Sequence, residues 1–334
     1  MCAKKKQTEP AEKVLTLWTS ALTGAQIETL GKICSEGNGF EATQTPYAIF
    51  SYKAKPLKIN VVAYTSGKVV VSGKGTEEFV RNVIEPQVTG VARLGYDDVF
   101  HPEWFDYHAG LDESGKGDLF GPLVSCCVIA GADAVKTWLD AGVRDSKTVA
   151  ESSIFELEKM IRATPGVIVK TATTTMEKYN ALYAGTFKNL NAMLAQFHFL
   201  ALREALFAAQ QTPAGTPTWG LLDQFTKTPL VQRLLSRNGI DFDLQMRTKA
   251  ESDPVVAAAS IVARATYVRA IKDLEKSAGI KLPKGCSAGT RKAGEQLVEK
   301  FGRERFGAFA KLHFKTAYEA QGLVPPESDF PARY

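Results

Sequence analysis

The sequence predicts an α/β domain preceded by a small α+β unit. Three observations carry this. From about residue 107 onward, apolar runs of strand length alternate with long helical patterns. Residues 20–90 hold a compact pattern of helix, three strands and helix. Acidic clusters stand at the ends of two apolar runs and beside one helix start, where α/β domains place their chemistry. The length of 334 residues suits two domains, and 45% hydrophobic with 23% charged residues excludes a mainly disordered chain.

The elements follow in order. Residues 1–13 are polar and basic and hold no apolar signal-peptide core. Thr23-Gly24 opens a helix with Ile27, Leu30, Ile33 and Cys34 on one face, closed by Gly37 to Gly39. Strand patterns run over Tyr47–Lys53, Leu57–Tyr64 and Lys68–Ser72, with Ser66-Gly67 as a hairpin turn. Thr76 starts a second helix carrying Phe79, Val80, Val83 and Ile84, with Pro86 near its end. The domains expected are residues 1–92, a linker at 93–106, and 107–334. In the last, strands are expected at Tyr107–Leu111, Leu123–Ala130, Val167–Thr173, Trp219–Leu222 and Phe242–Arg247. Helices are expected at Ser152–Arg162, Leu190–Ala209, Pro254–Leu274, Arg291–Phe301 and Arg305–Glu319.

Composition narrows the function classes. Net charge is +5, which permits an anionic partner. No apolar run approaches the roughly 18–20 residues of a membrane span, so no membrane partner is expected. Five cysteines without a CxxC pair argue against structural zinc and for reduced thiols in a cytoplasm. Five lysines (53, 55, 58, 68, 74) and no acid lie between Lys53 and Lys74, interleaved with Tyr47, Phe50, Tyr52 and Tyr64. Such a sheet face holds nucleic-acid phosphates, or is a solvated edge that discourages strand pairing.

The chemistry centres on Asp112-Glu113-Ser114-Gly115-Lys116-Gly117, where an apolar strand ends in two carboxylates and a glycine-rich turn. Adjacent acids on a strand point to opposite faces, so only a distorted strand end, or a metal bound partly through backbone, brings both to one site. The two glycines let a polyanion approach the backbone, and Lys116 adds charge. The spacing does not match GxxxxGK[ST], which disfavours an ATPase. Asp223 closes a second apolar strand, and Glu251 lies just before Asp253-Pro254, a helix N-cap with proline at N1. Taken singly, each acid also fits a turn or a cap. Converging, they would hold a pair of Mg2+ or Mn2+ ions through hard oxygen ligands, the arrangement used for phosphoryl displacement. The small run Ala257-Ala258-Ala259-Ser260 predicts very close packing against that helix.

The string Asp112-Glu113-Ser114-Gly115-Lys116-Gly117-Asp118-Leu119-Phe120-Gly121-Pro122 resembles the first motif of type 2 ribonucleases H, and its ending resembles ribonuclease HIII. Asp145-Ser146-Lys147, Tyr179-Asn180, Asn189-Leu190-Asn191, Asp223-Gln224-Phe225, Lys249-Ala250-Glu251, Ala257 to Arg264 and Lys311 to Lys315 follow in the family's order. The resemblance implies a ribonuclease H-like fold, a mixed sheet flanked by helices. It also implies an N-terminal domain similar to half of the TATA-binding protein. It further implies hydrolysis of the RNA strand of RNA–DNA hybrids, leaving 5′-phosphate and 3′-hydroxyl ends. The implied ligands of two divalent ions are Asp112, Glu113, Asp223 and Glu251, with Asp253 as the alternative fourth. Ser114, Gly115, Lys116, Gly117, Lys147, Asn189 and Ser260 are the implied substrate contacts. Asn189, Asn191 and Ser260 equally suit structural capping roles. Lys311 and Lys315, four apart, are expected on one helix face as a phosphate track or a solvated surface, with His313 between them packed rather than ligating. The related HII enzymes use a tyrosine in their C-terminal part to stack near an RNA–DNA junction. Residues 276–294 hold no aromatic, and neither Tyr267 nor Tyr318 is an obvious substitute. A monomer is the default state.

Overall fold

The computed structural model describes residues 15–91, 101–143, 149 and 151–326. The chain divides into two compact units, Met1–Pro102 and Glu103–Tyr334. The expected linker at 93–106 spans that division, and its residues 93–100 lie outside the described residues.

The first unit is a five-stranded antiparallel sheet in the order β1-β5-β4-β3-β2. Its strands are β1 Leu17–Ala21, β2 Phe40–Ala42, β3 Ala48–Ala54, β4 Ile59–Tyr64 and β5 Lys68–Gly73. Helix α1, Gly24–Glu36, opens with a capping box in which Thr23 and Gln26 satisfy each other's backbone N–H. Helix α2, Thr76–Phe79, continues as a wider π-type helix over Val80–Thr89 that contains Pro86. Leu30, Cys34, Val61, Val71, Val80 and Ile84 form one core beneath the sheet. The strands β1 and β2 escaped the sequence pattern because both are short edge strands with little buried surface.

The lysine pattern resolves unevenly. Phe50 and Tyr52 pack against that core, so they do not interleave with lysines on an open face. By register, Lys53, Tyr64 and Lys68 share the opposite face. Lys55 and Lys58 lie in the β3–β4 turn, and Lys55 is 3.0 Å from Glu41.

The second unit carries a mixed sheet in the order β10-β9-β6-β7-β8. The strands are β6 His108–Ser114, β7 Val124–Ala130, β8 Ile168–Ala172, β9 Trp219–Asp223 and β10 Asp243–Arg247. Strands β10, β9 and β6 run parallel, and β7 and β8 are antiparallel to their neighbours. Helices are α3 Ala132–Ala141, α4 Glu151–Ala163, α5 Met176–Leu182, α6 Leu190–Gln210, α7 Leu230–Arg237, α8 Pro254–Ala278, α9 Ala288–Phe301, α10 Arg303–Phe306 and α11 Lys315–Ala320. Helix α8 packs on one face of β6 and β7, and α6 covers the other. Gly110 shows how close α8 comes: a Cβ there would lie 2.4 Å from the Val255 carbonyl carbon. Helices α6 and α8 are long and apolar enough to cross a membrane, but 61% and 78% of their apolar windows are buried inside the fold. They are core helices, more apolar over their length than the short apolar runs of the sequence suggest.

The single helix expected at Arg305–Glu319 is broken in two, α10 and α11, by turns at 307–314. Lys311 and Lys315 therefore share no helix face, and Lys311 is fully buried. Its Nζ donates to the carbonyls of Asp118 at 2.7 Å and Gly121 at 2.5 Å. Burial pushes the Lys311 ammonium down to about 7, against the pull of Asp118. The expected phosphate track is instead an internal strut. His313 packs, as expected, with its ring stacked on Tyr183 at 3.7 Å and its Nε2 bonded to the Tyr179 hydroxyl at 2.9 Å.

Candidate active site

Strand β6 stays regular through Ser114, with Asp112 opposite Cys126 and Glu113 opposite Ser125 on β7. The strand end is not distorted, and the two carboxylates leave it on opposite faces, so gathering both at one metal would require ligation partly through backbone. Asp112 turns toward α8, where Ser260 hydrogen-bonds it, and its Oδ1 accepts the Glu113 N–H at 2.7 Å. Glu113 turns toward α6. There its Oε2 lies 3.1 Å from Nε2 of the fully buried His198, and its Oε1 lies 3.8 Å from Lys116 Nζ. His198 Nδ1 has no hydrogen-bond partner among the described residues, so the bond to Glu113 assigns the proton to Nε2.

Strand β9 runs parallel to β6 with Leu222 beside Leu111, so Asp223 follows beside Asp112. Leu221 packs with Ala250 and Val256 beneath α8, which puts Asp223, two residues on, on the same face as Asp112. Asp223 Oδ1 accepts the Ala250 N–H at 3.0 Å. This bond ties the strand end to the turn Ala250–Ser252 that carries Glu251. Lys249 enters that turn with a left-handed φ of 58°, a conformation that costs a side-chain-bearing residue about 1 kcal/mol. Asp253 has a different position. It is fully buried, its Oδ1 accepts from the N–H groups of Val255 at 2.8 Å and Val256 at 3.2 Å, and His108 Nε2 approaches it at 3.2 Å. The His108 ring is in turn stacked on Trp219 at 4.4 Å. Asp253 is thus committed to capping α8, whereas Glu251 is only half-buried.

The electrostatics follow from this crowding. Burial, then the charge of Glu113 and, more weakly, that of Asp223, push the Asp112 carboxyl up to about 8, against the pull of its hydrogen bonds. The acids supply oxygen donors alone, the chemistry that suits a hard divalent cation. Because Glu113 is turned onto His198 and Lys116, no three acidic, histidine or cysteine side chains among the described residues form a finished cage. A partial shell of this kind suits a cation that completes its coordination with water and phosphate oxygens, as Mg2+ does.

The glycine turn is held in place by its surroundings. Gly115 has φ of 86°, and a Cβ there would meet the Pro122 carbonyl at 2.2 Å and the Tyr267 ring at 2.8 Å. Ser114, half-buried, ends β6 just before it. Lys116 Nζ donates to the Phe225 carbonyl at 3.2 Å and sits 5.2 Å from that ring's centroid. Gly117 is exposed, with open space where a Cβ would go. Asn189 is the N-cap of α6, its Oδ1 accepting the Ala192 N–H at 3.0 Å. Ser260 is buried and hydrogen-bonds Asp112, the structural one of its two expected roles. Lys147 lies outside the described residues.

His198 was missed in the sequence, Phe225 entered only as part of a motif, and Lys311 was expected on a helix surface rather than beneath the glycine turn. His198 sits within the apolar run Phe197 to Leu202, and a histidine at a core position of such a helix was the available signal.

The chain is similar to known proteins along most of its length. The family model for ribonuclease HII matches residues 109–317. A ribonuclease HIII of Protochlamydia amoebophila is 36% identical over 86% of this chain and 91% of its own. One of Chlamydia pneumoniae is 34% identical over 92% of this chain and 97% of its own. Among solved structures, Bst-RNase HIII in complex with Mn2+ superposes with a TM-score of 0.63 at 25% identity, covering 92% of this chain and 98% of its own. The mixed sheet with helices on both faces is accordingly a ribonuclease H-like fold. Matched along most of its length by these relatives, the chain belongs to the ribonuclease HIII family.

Proposed function

We propose that this chain is an endonuclease that hydrolyses the RNA strand of RNA–DNA hybrids, using two divalent cations and leaving 5′-phosphate and 3′-hydroxyl ends. The observation that carries the reading is the pairing of Asp112 and Asp223 on one sheet face at the ends of β6 and β9, flanked by Glu113 and Glu251. Bound there, two Mg2+ or Mn2+ ions supply charge that steadies the attacking water and the leaving 3′-oxygen. Asp112, Glu113, Asp223 and Glu251 would hold them, and the use of Asp253 as a cap favours Glu251 as the fourth acid. The family relative solved with Mn2+ supports a divalent cation.

The remaining residues bind and orient. Ser260 and the Glu113 N–H fix Asp112, and His198 fixes Glu113. Telling RNA from DNA requires reading the 2′-hydroxyl. The exposed Gly117 and its neighbours Ser114 to Lys116 offer backbone groups that a ribose can approach. The N-terminal unit adds affinity through Lys53 and Lys68 without a base code. The enzyme acts as a monomer, and its free thiols suit a reducing cytoplasm.

The test is cleavage of a labelled RNA–DNA hybrid with and without Mg2+, beside duplexes of RNA and of DNA. Cutting confined to the hybrid and dependent on the cation is expected. Absence of hybrid cleavage in both Mg2+ and Mn2+ would overturn the reading. A second substrate separates the HII-like alternative. Tyr267 is buried and its hydroxyl donates to the Phe120 carbonyl, so it offers no stacking surface. Cleavage at a single embedded ribonucleotide should be about ten- to hundredfold poorer than within the hybrid, the worth of one stacking contact.

A further inference from the structure

A groove of about 350 Å³ lies along the β9–β10 edge of the sheet, lined among others by Trp219, Leu221, Gln245 and Arg247. One end of it reaches the active site. Arg247 is in direct register with Asp223, so the two leave adjacent strands, about 4.8 Å apart, on the same face. Arg247 is exposed, and no hydrogen bond or ion pair engages its guanidinium among the described residues. A cation beside a catalytic carboxylate and yet not spent on it remains available to an incoming anion. The other end of the groove is acidic, with Glu103, Asp106 and Asp243. Those carboxylates repel further phosphates, so the groove has room and charge for one.

We propose, resting on the hybrid-cleaving reading above, that Arg247 grips the backbone phosphate next to the bond being cut, and that the groove seats the attached nucleotide. The planar guanidinium matches two phosphate oxygens at once, which a lysine at the same position does not. Arg247 is thereby a substrate-positioning residue at the sheet edge.

The experiment measures binding of an RNA–DNA hybrid to the full chain, by fluorescence anisotropy without divalent cations, across a series of salt concentrations. Three variants are compared: Arg247→Ala, Arg247→Lys, and Arg237→Ala, which removes an exposed arginine at the end of α7. For Arg247→Ala the expected result is roughly tenfold weaker binding near 0.1 M salt. The slope of log affinity against log salt should fall by about 0.7–0.9, the value of one lost phosphate contact. Arg247→Lys should restore the slope and part of the affinity, and Arg237→Ala should change neither. Unchanged binding and slope in Arg247→Ala would overturn the proposal, and so would an equal loss in Arg237→Ala, which would make the effect one of net charge. Failure of the unaltered chain to bind or cut the hybrid would instead overturn the proposed function, a separable result. Because Arg247 is exposed, unchanged melting of its variants is expected to confirm intact folding.

Discussion

At the scale of single residues, the four proposed ligand acids and the neighbouring Asp253 are not equivalent, with Glu251 in the turn Ala250–Ser252. Asp112 and Asp223 share a face, Glu113 stands across the strand, and Asp253 belongs to a helix cap. Asp112→Asn or Asp223→Asn is expected to reduce hybrid cleavage by roughly a thousandfold or more in Mg2+, because each removes a charge that offsets the cations. Asp253→Asn should leave turnover largely intact and change melting instead, since asparagine still caps a helix. Rates and melting curves of the same preparations separate the two classes. His198 is expected to act through Glu113. His198→Ala should weaken cation binding, read by calorimetry, on the order of ten- to a hundredfold, the usual effect of losing a group that orients a ligand. His198→Gln, which keeps a donor near the carboxylate, should recover part of it. An unchanged cation affinity in His198→Ala would show that Glu113 needs no such support. The acids themselves were legible through the order of their motifs along the chain, since each taken singly also fits a turn or a cap. The support of Glu113 by His198 was not, since that contact spans 85 residues of chain.

At the scale of elements, local signals were read well where one short stretch decides the outcome. Thr23-Gly24 opens α1, Asp253 with Pro254 starts α8, and Ser66-Gly67 turns β4 into β5, all as the sequence indicates. The broken helix at 303–320 was misread because its apolar spacing continues while tertiary bonds override it. The Gly121 N–H donates to the Phe309 carbonyl at 3.2 Å, and Asn180 donates to the carbonyls of Gly307 and Ala310 at 2.9 Å. Within that segment, burial and then the nearby Lys311 charge push the His313 imidazole down to about 4. The folded state therefore keeps His313 neutral, while the unfolded chain takes up a proton near pH 6.5. Between those values the unfolded state binds more protons, so this group's contribution to stability is intact above about 6.5 and is lost as pH falls toward 4. The loss is on the order of 2–3 kcal/mol. Tyr179 and Tyr183 are the other titratable groups against the ring, and burial pushes the Tyr179 hydroxyl further above this range. Melting of the unaltered chain at pH 7 and pH 5, compared with His313→Gln, checks this. The variant should lose less stability between the two, and equal losses would place the acid sensitivity elsewhere.

At the scale of the whole molecule, each unit has its own core, the first built on Leu30, Val61 and Val71 and the second on the two faces of the mixed sheet. Deleting residues 1–102 is therefore expected to leave a folded, cation-dependent nuclease. The loss should appear as weaker hybrid binding with a shallower salt dependence, while the rate at saturating substrate changes little. An unchanged affinity near 0.1 M salt would remove the N-terminal sheet from substrate binding. The order of assembly follows from the strut beneath the glycine turn. Leu119 donates to the carbonyl of Gly285, Asp118 accepts from the Gly285 N–H, and Lys311 reaches back 190 residues to Gly121. Contacts so far apart in the chain close late, after the entropy of the intervening loop has been overcome. During synthesis, the carboxylates of β6 leave the ribosome long before the segment that fixes the turn beside them. A nascent chain thus carries its acids without a working cleft, and the cleft is completed only once the segment through Lys311 has been made.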